Sequence, residues 1–209
     1  MRYTHIFFSL SVVPGVALSS GLALAAGPIG IGGLKLGMTQ SQIEALKGPV
    51  QLSSALTKWT PAKPEDYKPG PGETRLEGIL NNPVTGNSEA TFTFKNGRLS
   101  SLHLMLDDDS DFNAARTLIA SKYGAPKIEN RQKDEQCIYR NGNSFSLKNG
   151  IATYKWEQSH GGGVVTTEIT EILINICPSN LRYGDAGGIA VRGMSIGYGA
   201  KSALGSNPF

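Results

Sequence analysis

Residues 89–106 read EATFTFKNGRLSSLHLML, two runs of alternating apolar residues on either side of Asn96-Gly97. Alternation with a period of two marks half-buried strands, and Asn-Gly supplies the positive φ of a tight hairpin. Register then decides which side chains share a face. A two-residue turn pairs Phe94 with Leu99 and leaves Leu102, Leu104 and Leu106 opposite Phe92 and Phe94. A three-residue loop of Lys95, Asn96 and Gly97, with Gly97 as the bulge residue, shifts the parity. Phe92, Phe94, Leu102, Leu104 and Leu106 then face one way. One coherent apolar face is what a sheet can bury, so the bulged turn is predicted.

The same KNG returns at Lys148-Asn149-Gly150, between NSFSL and IATYKW, and reads as a second hairpin turn. The runs IATYKWEQ and VVTTEITEILINIC follow, joined across Ser159 to Gly163. Two helices stand among these strands. In GMTQSQIEALKGP, Thr39 and Gln42 are spaced as a capping box, and Met38 and Ile43 as a hydrophobic staple. The spacing predicts a helix over 40–47, stopped by Gly48 and Pro49. In DDDSDFNAARTLIASKYGAP, Phe112, Ala115, Leu118, Ile119 and Tyr123 recur at helical spacing, with Gly124 and Pro126 as the stop. Asp107, Asp108, Asp109 and Asp111 crowd that helix start. An EF-hand pattern fails there for want of the turn glycine and closing glutamate, so the cluster reads as complementing the helix dipole.

Strand runs separated by single helices and joined by hairpins argue an α+β class. The expected architecture is two helix-plus-antiparallel-sheet units, at 26–106 and 107–184, with helices packed on one sheet face. TPAKPEDYKPGPGET, around a Pro-rich loop at 60–73, carries four of the eleven prolines. The stretch 185–209 holds six glycines without sustained apolar periodicity and is expected to be loose coil.

The first 25 residues read as a signal peptide. Arg2 is followed by the apolar stretch IFFSLSVVPGVALSSGLAL, then by Ala23-Leu24-Ala25, a small-x-small cleavage pattern. The expected product is periplasmic or secreted. No Cys lies near the cut, so no lipid attachment is expected, and the rest has no apolar run long enough for a transmembrane anchor. Losing Arg2 takes the formal charge from +3 to +2, too little to argue for nucleic acid. Cys137 and Cys177 are the only cysteines, and an oxidising compartment makes them a disulfide. Closing that loop removes roughly 4 kcal/mol of entropy from the unfolded chain.

Two short patterns suggest a serine hydrolase. Gly193-Met194-Ser195-Ile196-Gly197 spells G-x-S-x-G, and HGGG begins at His160. In the fold that uses this elbow, the acid and the His follow the Ser, on a strand–turn–helix. Here neither Asp, Glu nor His follows Ser195. His103 and His160 are the remaining candidate bases, the first on a strand and the second in a turn. No P-loop or zinc motif is present, and Glu168 and Glu171 fall on opposite faces of a strand. No cofactor or metal is expected.

IGGLKLGMTQSQIEALKGP resembles the opening of the small outer-membrane assembly lipoproteins of the SmpA/OmlA type. The two expected units, with helix stops at Gly48 and Gly124, are similar to the tandem layout of the β-lactamase-inhibitory protein. Both resemblances imply helices on an antiparallel sheet and work by gripping protein partners. This chain departs from the first in lacking an acylated N-terminal Cys, and from the second in having a disulfide in one unit only. The expected function is a non-catalytic exported protein-binding module: an envelope assembly factor, a hydrolase inhibitor or an immunity protein. Exposed aromatics on irregular segments, Trp59 and Tyr67, are candidate anchors. Tyr154 and Trp156 share a strand face and are candidates too, though alternating strand aromatics also serve as core. The alternatives are an envelope hydrolase using Ser195 and a small-ligand carrier.

Overall fold

The structure is a computed structural model that describes residues 30–61, 69–138, 142–160, 163–177 and 187–198. β1 (Gly30–Ile31) and β2 (Leu34–Lys35) form a small hairpin ahead of α1 (Gln40–Glu44). β3 (Gln51–Leu52) and β4 (Thr57–Lys58) each pair with β5 (Glu73–Asn82), which begins a meander through β6 (Gly86–Lys95) and β7 (Arg98–Met105). After α2 (Asp109–Tyr123) come β8 (Lys127–Asn130), β9 (Lys133–Ile138), β10 (Ser144–His160), β11 (Gly163–Ile176) and β12 (Gly187–Tyr198). All strands from β3 onward join one antiparallel sheet, ordered β3-β5-β6-β7-β12-β11-β10-β8, with β4 beside β5 and β9 beside β10.

This overturns the α+β expectation. Strand accounts for 60% of the described residues and helix for 14%, so the fold is largely β and not two helix-plus-sheet units. The main reason is β12. This strand, residues 187–198 within the stretch expected to be loose coil, inserts between β7 and β11 and pairs with both, so the two halves of the chain share one sheet. Its alternation was hidden because one face carries Met194 and Ile196 while the other carries Gly193, Ser195 and Gly197. Glycine weakens a strand in isolation, but here it permits a close approach. A Cβ on Gly193 would stand 2.6 Å from the His103 ring.

The capping box forms as its spacing predicts. Thr39 Oγ1 accepts from the Gln42 N–H at 3.3 Å, and the Gln42 side chain accepts from the Thr39 N–H at 2.9 Å. α1 is nevertheless only five residues long. At Ala45 the helix gives way to a tighter turn, in which the Leu46 N–H bonds the Ile43 carbonyl. In α2, Asp108 is the N-cap, accepting from the Asp111 N–H at 2.9 Å. Its buried residues are Phe112, Ala115 and Ile119.

The first hairpin reaches the expected face by another route. Phe94 pairs with Leu99 and Lys95 with Arg98, so the turn is the two-residue Asn96-Gly97, both at positive φ. Thr93 then pairs with Ser101, which makes Ser100 the extra residue of a bulge; its hydroxyl donates to the Thr93 carbonyl at 2.9 Å. The parity is corrected just after the turn, and Phe92, Phe94, Leu99, Leu102 and Leu104 are all buried. The second KNG is not a turn at all. β10 runs straight through it, and Gly150 adopts φ +114, where a Cβ would lie 2.5 Å from the Arg131 carbonyl oxygen. A glycine in a strand can mark a close backbone approach as readily as a turn, and short-range pattern does not separate the two.

One face of the sheet carries the core. Leu80, Phe92, Leu99, Leu102 and Leu104 pack with Leu34 and Ile43 from the N-terminal segment, with Phe112, Ala115 and Ile119 from α2, and with Trp156, Ile169 and Met194. Each such side chain contributes about 1.5–3 kcal/mol by leaving water. Arg192 locks β12 to the rest. Its guanidinium meets Asp109 at the start of α2 and donates from Nε to Glu171 Oε1 at 2.8 Å, while Gln132 donates to Glu171 Oε2 at 2.9 Å.

Candidate functional site

The aromatics singled out from the sequence divide between places. Trp156 is only 5% exposed and donates from Nε1 to the Gly124 carbonyl at 3.0 Å, satisfying the end of α2. Tyr154 is half-buried beneath the same helix. The Arg116 guanidinium lies 4.9 Å from its ring centre and donates to its hydroxyl at 2.9 Å, and Phe112 meets it edge-on at 6.0 Å. Both residues hold α2 to the sheet. Trp59 is half-buried just after β4, its N–H on the Arg75 carbonyl at 3.1 Å and its ring 5.3 Å from the Arg75 guanidinium. Tyr67 lies outside the described residues.

The hydrolase constellation does not assemble. Ser195 sits mid-strand in β12, and neither Gly193 nor Gly197 takes the positive φ of a sharp turn. His160, at the end of β10, pairs with Gly163 and stacks 6.3 Å from Tyr198. Glu168 is the partner of Ser195 on β11, five residues from Gly163, so the two motifs are about 16 Å apart along the strand. The histidine that does reach Ser195 is His103, its direct partner across β7. A cross-strand row therefore runs Lys155–Glu168–Ser195–His103 on the face opposite the core. A triad needs the histidine between serine and acid, whereas here the serine stands between. Among the described residues no hydrogen bond joins Ser195 to His103.

The charges of this row have structural partners. Lys155 lies 2.7 Å from Glu157 and 3.8 Å from Glu168. The hydrogen bond to Glu157 raises the Lys155 pKa above its ordinary value and lowers that of Glu157. Burial depresses the pKa of His103, keeping its ring neutral, and its Nδ1 is buried without a hydrogen bond.

Further along this same face the chemistry changes. Ile172 pairs with Ile151 on one side and Val191 on the other, and Ile174 pairs with Ile189. Two residues beyond stands Ile176. The period of two puts all six on the face of Ser195. Ile176 and Ile189 are 68% and 62% exposed. The end of the sheet that bears them is braced. The expected disulfide forms between Cys137 of β9 and Cys177, immediately after Ile176. Asn149 bonds both backbone groups of Asn175, its Oδ1 accepting at 2.6 Å and its Nδ2 donating at 3.0 Å. Asn175 Nδ2 donates in turn to the Lys148 carbonyl at 2.7 Å.

Sequence reasoning missed this patch. Ile189 and Val191 lie in the segment expected to be coil, and TEILINIC has apolar residues on both faces, so alternation alone does not say which face is open. The signal that existed was Ile172, Ile174 and Ile176 at a strict spacing of two. No family model, curated protein or solved structure matches the chain.

Proposed function

We propose that this chain is an exported protein-binding module without catalysis, and that it docks its partner on the isoleucine end of the sheet. The observation that carries the reading is the pair of largely exposed, β-branched side chains Ile176 and Ile189 on a braced strand end. Exposed apolar residues that cluster are a mark of protein interaction sites, and a pre-ordered surface loses little entropy on binding. The Cys137–Cys177 disulfide is in keeping with an oxidising compartment, and the leader-like residues 1–25 with export to the periplasm or beyond. Among the described residues no helix is long and apolar enough to cross a membrane. Envelope assembly, hydrolase inhibition and toxin immunity all operate through such a contact.

The test is affinity capture from envelope and culture extracts with the oxidised chain 26–209, beside an Ile176→Lys/Ile189→Lys variant of equal melting temperature. One protein held stoichiometrically by the parent and lost by the variant is the expected result. Equal retention by both removes the isoleucine face from the reading. No retention beyond a denatured control removes the binding function itself.

A further inference from the structure

A cavity of about 140 Å³ lies on the core face, between α2 and the sheet. Leu104 and Met194 line it from β7 and β12, Ala115 and Ile119 from α2, and Val84 from the turn between β5 and β6. It is partly open to solvent, and an apolar site of about 150 Å³ is large enough to accept benzene. Two polar side chains in its wall, Asn82 and Thr85, are turned to one another. Asn82 Oδ1 accepts from the N–H groups of Val84 and Thr85 at 3.0 and 3.1 Å, and its Nδ2 donates to Thr85 Oγ1 at 2.8 Å.

One charge belongs to the lining. Lys122, on the last turn of α2, is exposed and enters no ion pair among the described residues. A mostly apolar pocket with the exposed, unpaired Lys122 among its lining residues matches a ligand with an apolar body and an anionic head. The half-charge at the helix C-terminus opposes an anion, but a full ammonium outweighs it at comparable distance. We infer that this cavity takes the body of a small aromatic or short-chain carboxylate, with its carboxylate at Lys122. The site is separate from the isoleucine face, on the opposite side of the sheet.

Calorimetric titration of the oxidised chain 26–209 with benzoate, and with benzyl alcohol as the neutral analogue, tests this. Expected are saturable one-to-one binding of both and shifts confined to the lining methyl groups, among them those of Val84, Leu104, Ala115, Ile119, Met194 and Ile196, in NMR spectra. Lys122→Gln, at an exposed position, should weaken benzoate about tenfold and leave benzyl alcohol unchanged. Ala115→Leu, which fills the chamber, should abolish both. Absence of saturable benzoate binding, or methyl shifts elsewhere, overturns the site. Equal loss of benzoate and benzyl alcohol in Lys122→Gln, or no loss of either, overturns the carboxylate class. The methyl shifts decide the location even if Ala115→Leu does not fold.

Discussion

β6 and β11 belong to the same sheet but are buried in different ways. In β6 the core-facing residues Ser88, Ala90, Phe92 and Phe94 are buried while Glu89, Thr91 and Thr93 are not. In β11 every residue from Val165 to Thr170 is buried, so Thr166, Glu168 and Thr170 are enclosed on the face away from the core. A strand buried on one side needs only an apolar face to set its place. A strand buried on both must also satisfy the polar groups it encloses, so its second face carries stability that β6 lacks.

The largest expected effect lies on the shared core face. Phe92→Ala should cost about 3–5 kcal/mol in denaturant unfolding, through lost burial and the cavity left behind. A cost below about 1 kcal/mol would mean that the meander is not the centre of the core. Next is the brace beside β11. Replacing both cysteines by serine should lower stability by about 2–4 kcal/mol, and hydrogen exchange should quicken first in β9 and the end of β11 rather than in β6. Uniform quickening would show that the two regions unfold as one.

The comparison is sharpened most directly by two threonines on the outer face. Thr170 is 4% exposed, with its hydroxyl 3.4 Å from that of Thr153, whereas Thr91 in β6 is half-buried. Thr170→Ala should cost about 1–2 kcal/mol and Thr91→Ala within about 0.5. Equal costs would erase the distinction. The smallest effect is on pH dependence. Burial lowers the folded pKa of His103 below its ordinary 6.5, so the unfolded chain takes up its proton first as pH falls. The stability associated with a neutral His103 is complete above the unfolded value and is lost as pH drops through the folded one. Melting temperature should therefore decline from pH 7 toward 5, and less steeply in His103→Asn. Parallel profiles would assign the decline to other groups.

The legible parts of this molecule are those in which one residue answers another close by. Thr39 with Gln42, Asn96 with Gly97, and the stop of α2 at Gly124 all act within a turn of chain. The shared face of Phe92 and Leu102 was legible as a need, though not the device that met it, since a bulge at Ser100 and one at Gly97 restore the same parity. Lys148-Asn149-Gly150 misled because its glycine answers Arg131, which lies between β8 and β9, distant in the chain. The isoleucine face and the cavity were illegible for a related reason: each is made from elements that meet only when β12 is in place.

By itself, then, the sequence determined the capping box at Thr39, a turn at Asn96-Gly97, the helix stop at Gly124 and the cysteine pairing, because their interactions are local or leave a single possible partner. Only the tertiary structure decided that 187–198 is a strand between β7 and β11, uniting both halves of the chain in one sheet. Backbone hydrogen bonds are common to every residue, and what selects among them here is the fit of Gly193 beneath His103 and the anchoring of Arg192 by Asp109 and Glu171. Those partners are distant in the chain, so no local pattern carries their contribution.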